Sequence, residues 1–166
     1  MALPPLLRGF RPGLLGDVTA LHGRYYAAHW GFTTFFEAKV ASGLAAFASR
    51  YDPARDLVLS VAEGNRTLGS VTIDGSDPAA PEGLLHLRWF ILAEEAHGKG
   101  LGRALIDEAL AFSRGSGRPG VYLWTFDGLT AARRLYDRAG FVLVEEHPGD
   151  TWGTRVTEQR FVLKFG

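Results

Sequence analysis

Seven consecutive residues, His97-Gly98-Lys99-Gly100-Leu101-Gly102-Arg103, have the composition of an anion site. Glycines at alternate positions allow a tight turn and let backbone N–H groups come close to a ligand. An apolar run precedes this loop and helical periodicity follows it. A helix that begins there adds unpaired N–H groups and the positive end of its dipole, which together suit a phosphate or pyrophosphate. Other residues can handle protons. Tyr136 carries a phenol, which with an ordinary pKa near ~10 is a proton donor at neutral pH. His86 and Arg88 stand two apart, so on a strand they share one face, and Leu85 and Leu87 share the other. An imidazole there can accept a proton or simply be structural. The guanidinium can hold an acidic group or pair with a nearby carboxylate.

The elements that must position these groups follow from periodicity and turn signals. Strands are predicted over 8–12, 57–63, 67–74, 84–92, 121–125, 141–146 and 158–164. Asp17 offers an N-cap for a helix to about His29. Further helices are predicted over 33–49, 101–114 and 130–138, the first of them carrying Phe36, Val40, Leu44 and Phe47 at helical spacing. Gly64-Asn65 reads as a hairpin turn, and Gly140 stops the last helix. The order β-α-α-β-β-β-α-β-α-β-β predicts one α/β (α+β) domain over residues 1–166, a mixed sheet with helices on both faces rather than an alternating βαβ chain.

Composition narrows the function classes. A chain of 166 residues with 46% hydrophobic content can bury its own core. It has no cysteine, so thiol nucleophiles and thiolate metal sites are excluded. Its five histidines lack metal-ligand spacing, and no metal is expected. Lys+Arg and Asp+Glu balance at 18 each, which argues against a nucleic-acid or anionic-membrane partner. The apolar start, Met1 to Leu7, is short, broken by Pro4 and Pro5, and has no basic lead. It makes a poor signal peptide, and a cytoplasmic protein is expected.

The glycine loop matches neither common nucleotide pattern. No Gly-x-x-x-x-Gly-Lys-Ser/Thr string is present, and the Gly-x-Gly-x-Gly spacing falls late in the chain, unlike a dinucleotide fingerprint. A nucleotide enzyme would also want a Ser or Thr after Lys99 for Mg²⁺. The remaining candidate is the Gln/Arg-x-x-Gly-x-Gly/Ala pyrophosphate loop of acyl-CoA transferases. With the downstream string Thr130-Ala131-Ala132-Arg133-Arg134-Leu135-Tyr136-Asp137-Arg138-Ala139-Gly140-Phe141, the chain resembles the GNAT family of N-acetyltransferases over nearly its whole length. The segment from Leu123-Trp124-Thr125 to Phe141 is most similar to acetyltransferase halves fused behind a MarR-type winged helix. No winged helix is present in these residues, so that likeness carries no DNA-binding role. His97 departs from the family's usual Arg or Gln, and Phe126 and Leu129 stand where relatives carry Asn.

The resemblance implies a mostly antiparallel, twisted sheet of about seven strands with four helices, splayed between the strands over 84–92 and 121–125. It implies acetyl-CoA as cofactor, held at Phe90, Ile91 and Leu92 of a bulged strand, at residues His97 to Arg103, and at Ala132, Arg133 and Tyr136. It implies direct transfer of the acetyl group to a primary amine of a small molecule or peptide in a ternary complex. Tyr136 would assist the leaving thiolate, and His86, or a water it holds, would take the amine proton. Acceptor-binding residues are expected at Trp30, Phe32, Arg88 and Trp124. The other aromatics of the first two helices are expected to be largely core. A monomer or homodimer is expected. A different class of function, a CoA-binding sensor or regulatory module without catalysis, fits the same loop. Retention of Tyr136 favours the enzyme.

Overall fold

A computed structural model describes residues 2–166. Seven strands form one sheet in the order β1-β2-β3-β4-β5-β7-β6. They are β1 (Leu7–Arg8), β2 (Leu57–Glu63), β3 (Arg66–Asp74), β4 (Leu85–Leu92), β5 (Gly120–Phe126), β6 (Val142–Gly149) and β7 (Val156–Lys164). The helices are α1 (Leu14–Trp30), α2 (Thr34–Arg50), α3 (Leu101–Arg114) and α4 (Thr130–Ala139). All strand pairs are antiparallel except β4 with β5. No helix among the described residues is long and apolar enough to cross a membrane.

Both faces of the central strands are covered, so β2 and β3 are almost continuously buried. On one face, α3 and α4 pack Leu105, Ile106, Ala109 and Tyr136 against Leu59, Val71, Leu87 and Leu123. On the other, α1 and α2 pack Leu14, Val18, Phe36, Val40, Leu44 and Phe47 against Val58, Ile91 and Phe126. The α2 stripe matches the predicted helical spacing. Its cap is Thr33, whose hydroxyl accepts from the Phe35 N–H at 3.3 Å.

The N-terminal segment differs from expectation. The first strand is only two residues, because Gly9 at φ +86° turns the chain out of the ladder. α1 begins at Leu14 behind Gly13, not at an Asp17 cap. Asp17 instead accepts a bond from the Thr67 hydroxyl at 2.7 Å, and Thr67 in turn accepts one from Arg11 at 2.8 Å. Arg11 of the expected strand thus bonds β3 through its side chain, and Asp17 ties α1 to the same threonine. The closing strands are longer than predicted, and β6 runs through Pro148. An edge strand tolerates this proline because its outer N–H has no ladder partner to lose.

Two features set up the site. β4 and β5 pair only at Leu85↔Val121 and His86↔Tyr122, and beyond these the strands separate. On its other edge β4 shifts register against β3 between Ser70 and Thr72. Trp89 takes the extra place at φ +50°, a left-handed conformation that costs a non-glycine residue roughly 1–3 kcal/mol. The bulge and the splay together open a gap in the middle of an otherwise packed sheet.

Candidate active site

The gap is a cavity of about 480 Å³. His86, Arg88, Trp89 and Phe90 of β4 line one side, and Trp124, Thr125 and Phe126 of β5 the other. Leu129, Ala132 and Tyr136 close it from the α4 side, and His22, Tyr26, Phe36 and Lys39 from the α1–α2 side. Of the strand and α4 residues expected from sequence, His86, Arg88, Phe90, Trp124, Ala132 and Tyr136 line this space, and Ile91, Leu92 and Arg133 do not.

Tyr136 arrives there because Gly140, at φ +99°, ends α4 in a left-handed cap whose N–H reaches the Tyr136 and Asp137 carbonyls. Its ring packs edge-on to Phe141 and near Phe90. Burial pushes its phenol above the ordinary tyrosine range, so the hydroxyl keeps its proton. No protein group bonds that hydroxyl among the described residues, and it lines the cavity.

His86 is held from behind. Its Nδ1 lies 2.6 Å from Asp77 Oδ2 and 3.1 Å from the Tyr122 hydroxyl, which itself donates to Asp77 Oδ2 at 2.8 Å. A carboxylate only accepts, so Nδ1 carries the hydrogen and Nε2 presents a lone pair. Burial lowers the His86 pKa below the ordinary value, against the opposing contact with Asp77, and nearby Arg88 lowers it further. The ring is thus neutral at pH 7. Asp77 is held well below the carboxylate range, chiefly by its bond from His86.

The glycine loop joins β4 to α3 as predicted. Gly98 and Gly100 sit at φ +75° and +81°, with open space where a Cβ would point. Gly100 is the left-handed N-cap of α3. The N–H groups of residues 98–103 have no protein acceptor among the described residues; the helical ladder begins with Ala104 N–H to Gly100 O at 3.0 Å. Gly102 serves packing instead, since a Cβ there would lie 3.1 Å from Leu92 and Leu135. A row of free N–H groups above open space fits an extended anion such as a pyrophosphate. The β5-facing edge of β4 beyond His86 has no ladder partner and fits an amide-bearing chain.

Several expected residues are placed elsewhere. Phe32 is 3% exposed and packs with Tyr26, Phe36 and Phe126 in the core. Trp30 covers Phe126 edge-on and does not line the cavity. The turn between the two helices folds inward because its rings find apolar partners, and the helix interiors supply the wall. Arg133 is engaged by Asp137 at 3.0 Å and lies over the Phe161 ring, directed along α4 rather than to the loop. His97 donates from Nε2 to the Leu92 carbonyl at 3.2 Å, so its ring folds back on the end of β4. Ile91 is buried under α1 and α2, so only its backbone could meet a ligand.

Sequence reasoning missed His22, Lys39, Asp77, Tyr122 and Trp152. His22 and Tyr26 are four apart on α1, a spacing that puts them on one face. Their position was legible, but not that this face borders a cavity. Asp77 lies in an irregular loop that carries no local signal.

Comparison with known proteins is consistent with this geometry. The sequence model of the acetyltransferase (GNAT) family matches residues 17–141. The mycothiol acetyltransferase of Salinispora arenicola is 30% identical over a 177-residue alignment that covers 95% of this chain and 50% of that protein. That of Salinispora tropica is 30% identical over 164 residues, 87% of this chain and 48% of that protein. The chain spans about half the length of the curated relatives it matches. Among solved structures, yncA from Salmonella typhimurium, solved with its cofactor acetyl-CoA, superposes with a TM-score of 0.69 at 18% identity, covering 97% of this chain and 94% of that one. The ribosomal-protein-alanine N-acetyltransferase of Brucella melitensis gives a TM-score of 0.73 at 16% identity, covering 97% and 99%. At these identities the structures show a shared fold.

Proposed function

We propose, from the premise that the chain belongs to the acetyltransferase (GNAT) family, that it transfers an acetyl group from acetyl-CoA, the cofactor of that family, to the amine of a small molecule or peptide. The observation that carries this reading is that Tyr136 of α4 and His86 of β4 line one cavity at the β4–β5 splay. The finer likeness to halves fused behind a winged helix rests on residues 123–141 and adds no DNA-binding role.

The N–H groups of residues 98–103 would hold the pyrophosphate, and the open edge of β4 from Phe90 to Leu92 would hold the amide chain. Bound there, acetyl-CoA supplies an acyl group activated as a thioester. The chain's own residues supply proton handling. An alkylammonium has no free lone pair, so the acceptor must lose a proton before it attacks. His86 would take it at Nε2, directly or through a water, and Asp77 would hold the imidazolium that results. Tyr136 would donate its phenolic hydrogen bond to the departing sulfur. The chain has no cysteine to carry the acyl group, which agrees with direct attack.

The test combines the protein with acetyl-CoA and a panel of primary amines, following free thiol release and the mass of the amine. Acetylated amine above the uncatalysed rate supports the reading. Tight acetyl-CoA binding without turnover of any amine would instead make the protein a CoA-binding module.

A further inference from the structure

The cavity wall formed by α2, the β4 bulge, β5 and the β6–β7 turn is built from flat rings. Phe36, Trp89, Trp124, Phe126 and Trp152 all line it, including three of the chain's four tryptophans. Such a wall takes up a flat apolar group by burial and stacking.

The same wall carries positively charged hydrogen-bond donors that are only partly used. Arg88 lies 4.1 Å above the Trp89 ring, and its Nη1 is 3.1 Å from Asp74. Asp74 is fully buried and already accepts from Arg50 on both oxygens, at 2.8 and 2.7 Å. One carboxylate therefore serves two guanidiniums. Nε and Nη2 of Arg88 have no protein acceptor among the described residues, and the side chain is 26% exposed. Lys39 stands exposed on α2, also without an acidic partner among the described residues. The cavity's own carboxylates are engaged. Glu158 accepts two bonds from Thr151, at 2.9 and 2.8 Å, and Glu145 meets Arg160 and His147 at 3.3 and 3.4 Å. Among the charged side chains of this wall, the free donors that suit an anion belong to Arg88 and Lys39.

We infer that the acceptor is an amine carrying both a carboxylate and a flat apolar group, with Arg88 as the residue that selects the carboxylate. A guanidinium backed by a ring and tethered at one corner is already oriented, so binding a second carboxylate costs little further order. The tryptophans then fix the apolar body and leave the amine toward His86. This inference rests on the acetyl-transfer reading above.

Matched pairs test it: L-phenylalanine against L-phenylalaninamide, and L-tryptophan against L-tryptophanamide. Each pair differs only in the carboxylate. The amides have the less basic amine, so amine ionisation works against the expected result. The wild type should show kcat/KM at least tenfold higher for the acids. Arg88→Gln should bring that ratio close to one, mainly by raising KM for the acids, and Arg88→Lys should restore part of it. Because Arg88 also meets Asp74, Lys39→Gln provides a variant that leaves that cluster intact, and it should lower the ratio in the same direction. Equal use of acid and amide by the wild type, or equal losses on both in Arg88→Gln, would overturn the inference and leave acetyl transfer standing. Calorimetry with N-acetyl-L-phenylalanine and its amide, in the presence of CoA, separates the reverse case. At least tenfold tighter binding of the acid supports the pocket even if no amine turns over, in which event the acetyl-transfer reading alone fails.

Discussion

Nδ1 of His86 lies 2.6 Å from Oδ2 of Asp77, and that contact determines which ring nitrogen carries the hydrogen. Removing the carboxylate charge should have two effects. The hold on the tautomer loosens, and burial and Arg88 then depress the His86 pKa with less opposition. Asp77→Asn should therefore lower kcat roughly tenfold or more and move the acid limb of the kcat/KM profile to lower pH. The profiles of wild type and variant between pH 5 and 8 check this. An unmoved limb would show that His86 is not the titrating base.

Tyr136→Phe should reduce the single-turnover rate while leaving acetyl-CoA affinity nearly unchanged. The hydroxyl is needed as charge develops on sulfur, not in the ground state. The ring packing on Phe141 and Phe90 survives the change, so a full-rate variant would make Tyr136 a core residue.

Gly100→Val should weaken acetyl-CoA binding at least tenfold, about 1.4 kcal/mol. The position has φ +81° and open space beside it, so a branched side chain both strains the cap and fills the approach to the free N–H groups. Calorimetry measures the affinity, and circular dichroism checks the fold. Undiminished affinity would detach the loop from the cofactor.

His22 should make the fold acid-sensitive. It is buried against Tyr26 and Phe36, donates from Nδ1 to the Val18 carbonyl at 2.8 Å, and has its pKa lowered to about 4 by that burial. The unfolded chain binds the proton with an ordinary pKa near 6.5. Stability from this site is complete above that value and declines as pH falls toward 4, by about 3 kcal/mol in all. Denaturant unfolding at pH 7, 5.5 and 4 should show the decline in wild type and a flatter course in His22→Phe. Parallel declines would assign the acid loss to the carboxylates instead.

Much of the fold was legible because each element had a local cause. The α2 stripe from Phe36 to Phe47, the Gly64-Asn65 turn and the Gly140 stop all act over a few residues. The turn at Gly98 and Gly100 was legible for the same reason: glycine alone adopts those angles without cost. What could not be read was long-range. Asp77 reaches His86 only after β4 is laid beside β3 and β5, and Phe32 was misplaced because nothing nearby in sequence shows that Phe126 will receive it. The bulge at Trp89 is likewise a property of register between two strands, not of either one.

The short β4–β5 ladder has a mechanical consequence. Strands β1 to β4 form one plate and β5, β7 and β6 another, joined edge to edge by two residue pairs, with α3 packed across both. Across the line through Leu85–Val121 and His86–Tyr122 the ladder itself supplies few hydrogen bonds, and beyond it side-chain packing such as that of Ile91 with Phe126 holds the plates together. The strands are held closest at that line and are free of each other's ladder at the far end, toward Phe90 and Phe126. His86 sits on the paired line itself, with Tyr122 opposite it in the ladder. The base and its carboxylate therefore occupy the part of the gap that the ladder holds most rigidly in register.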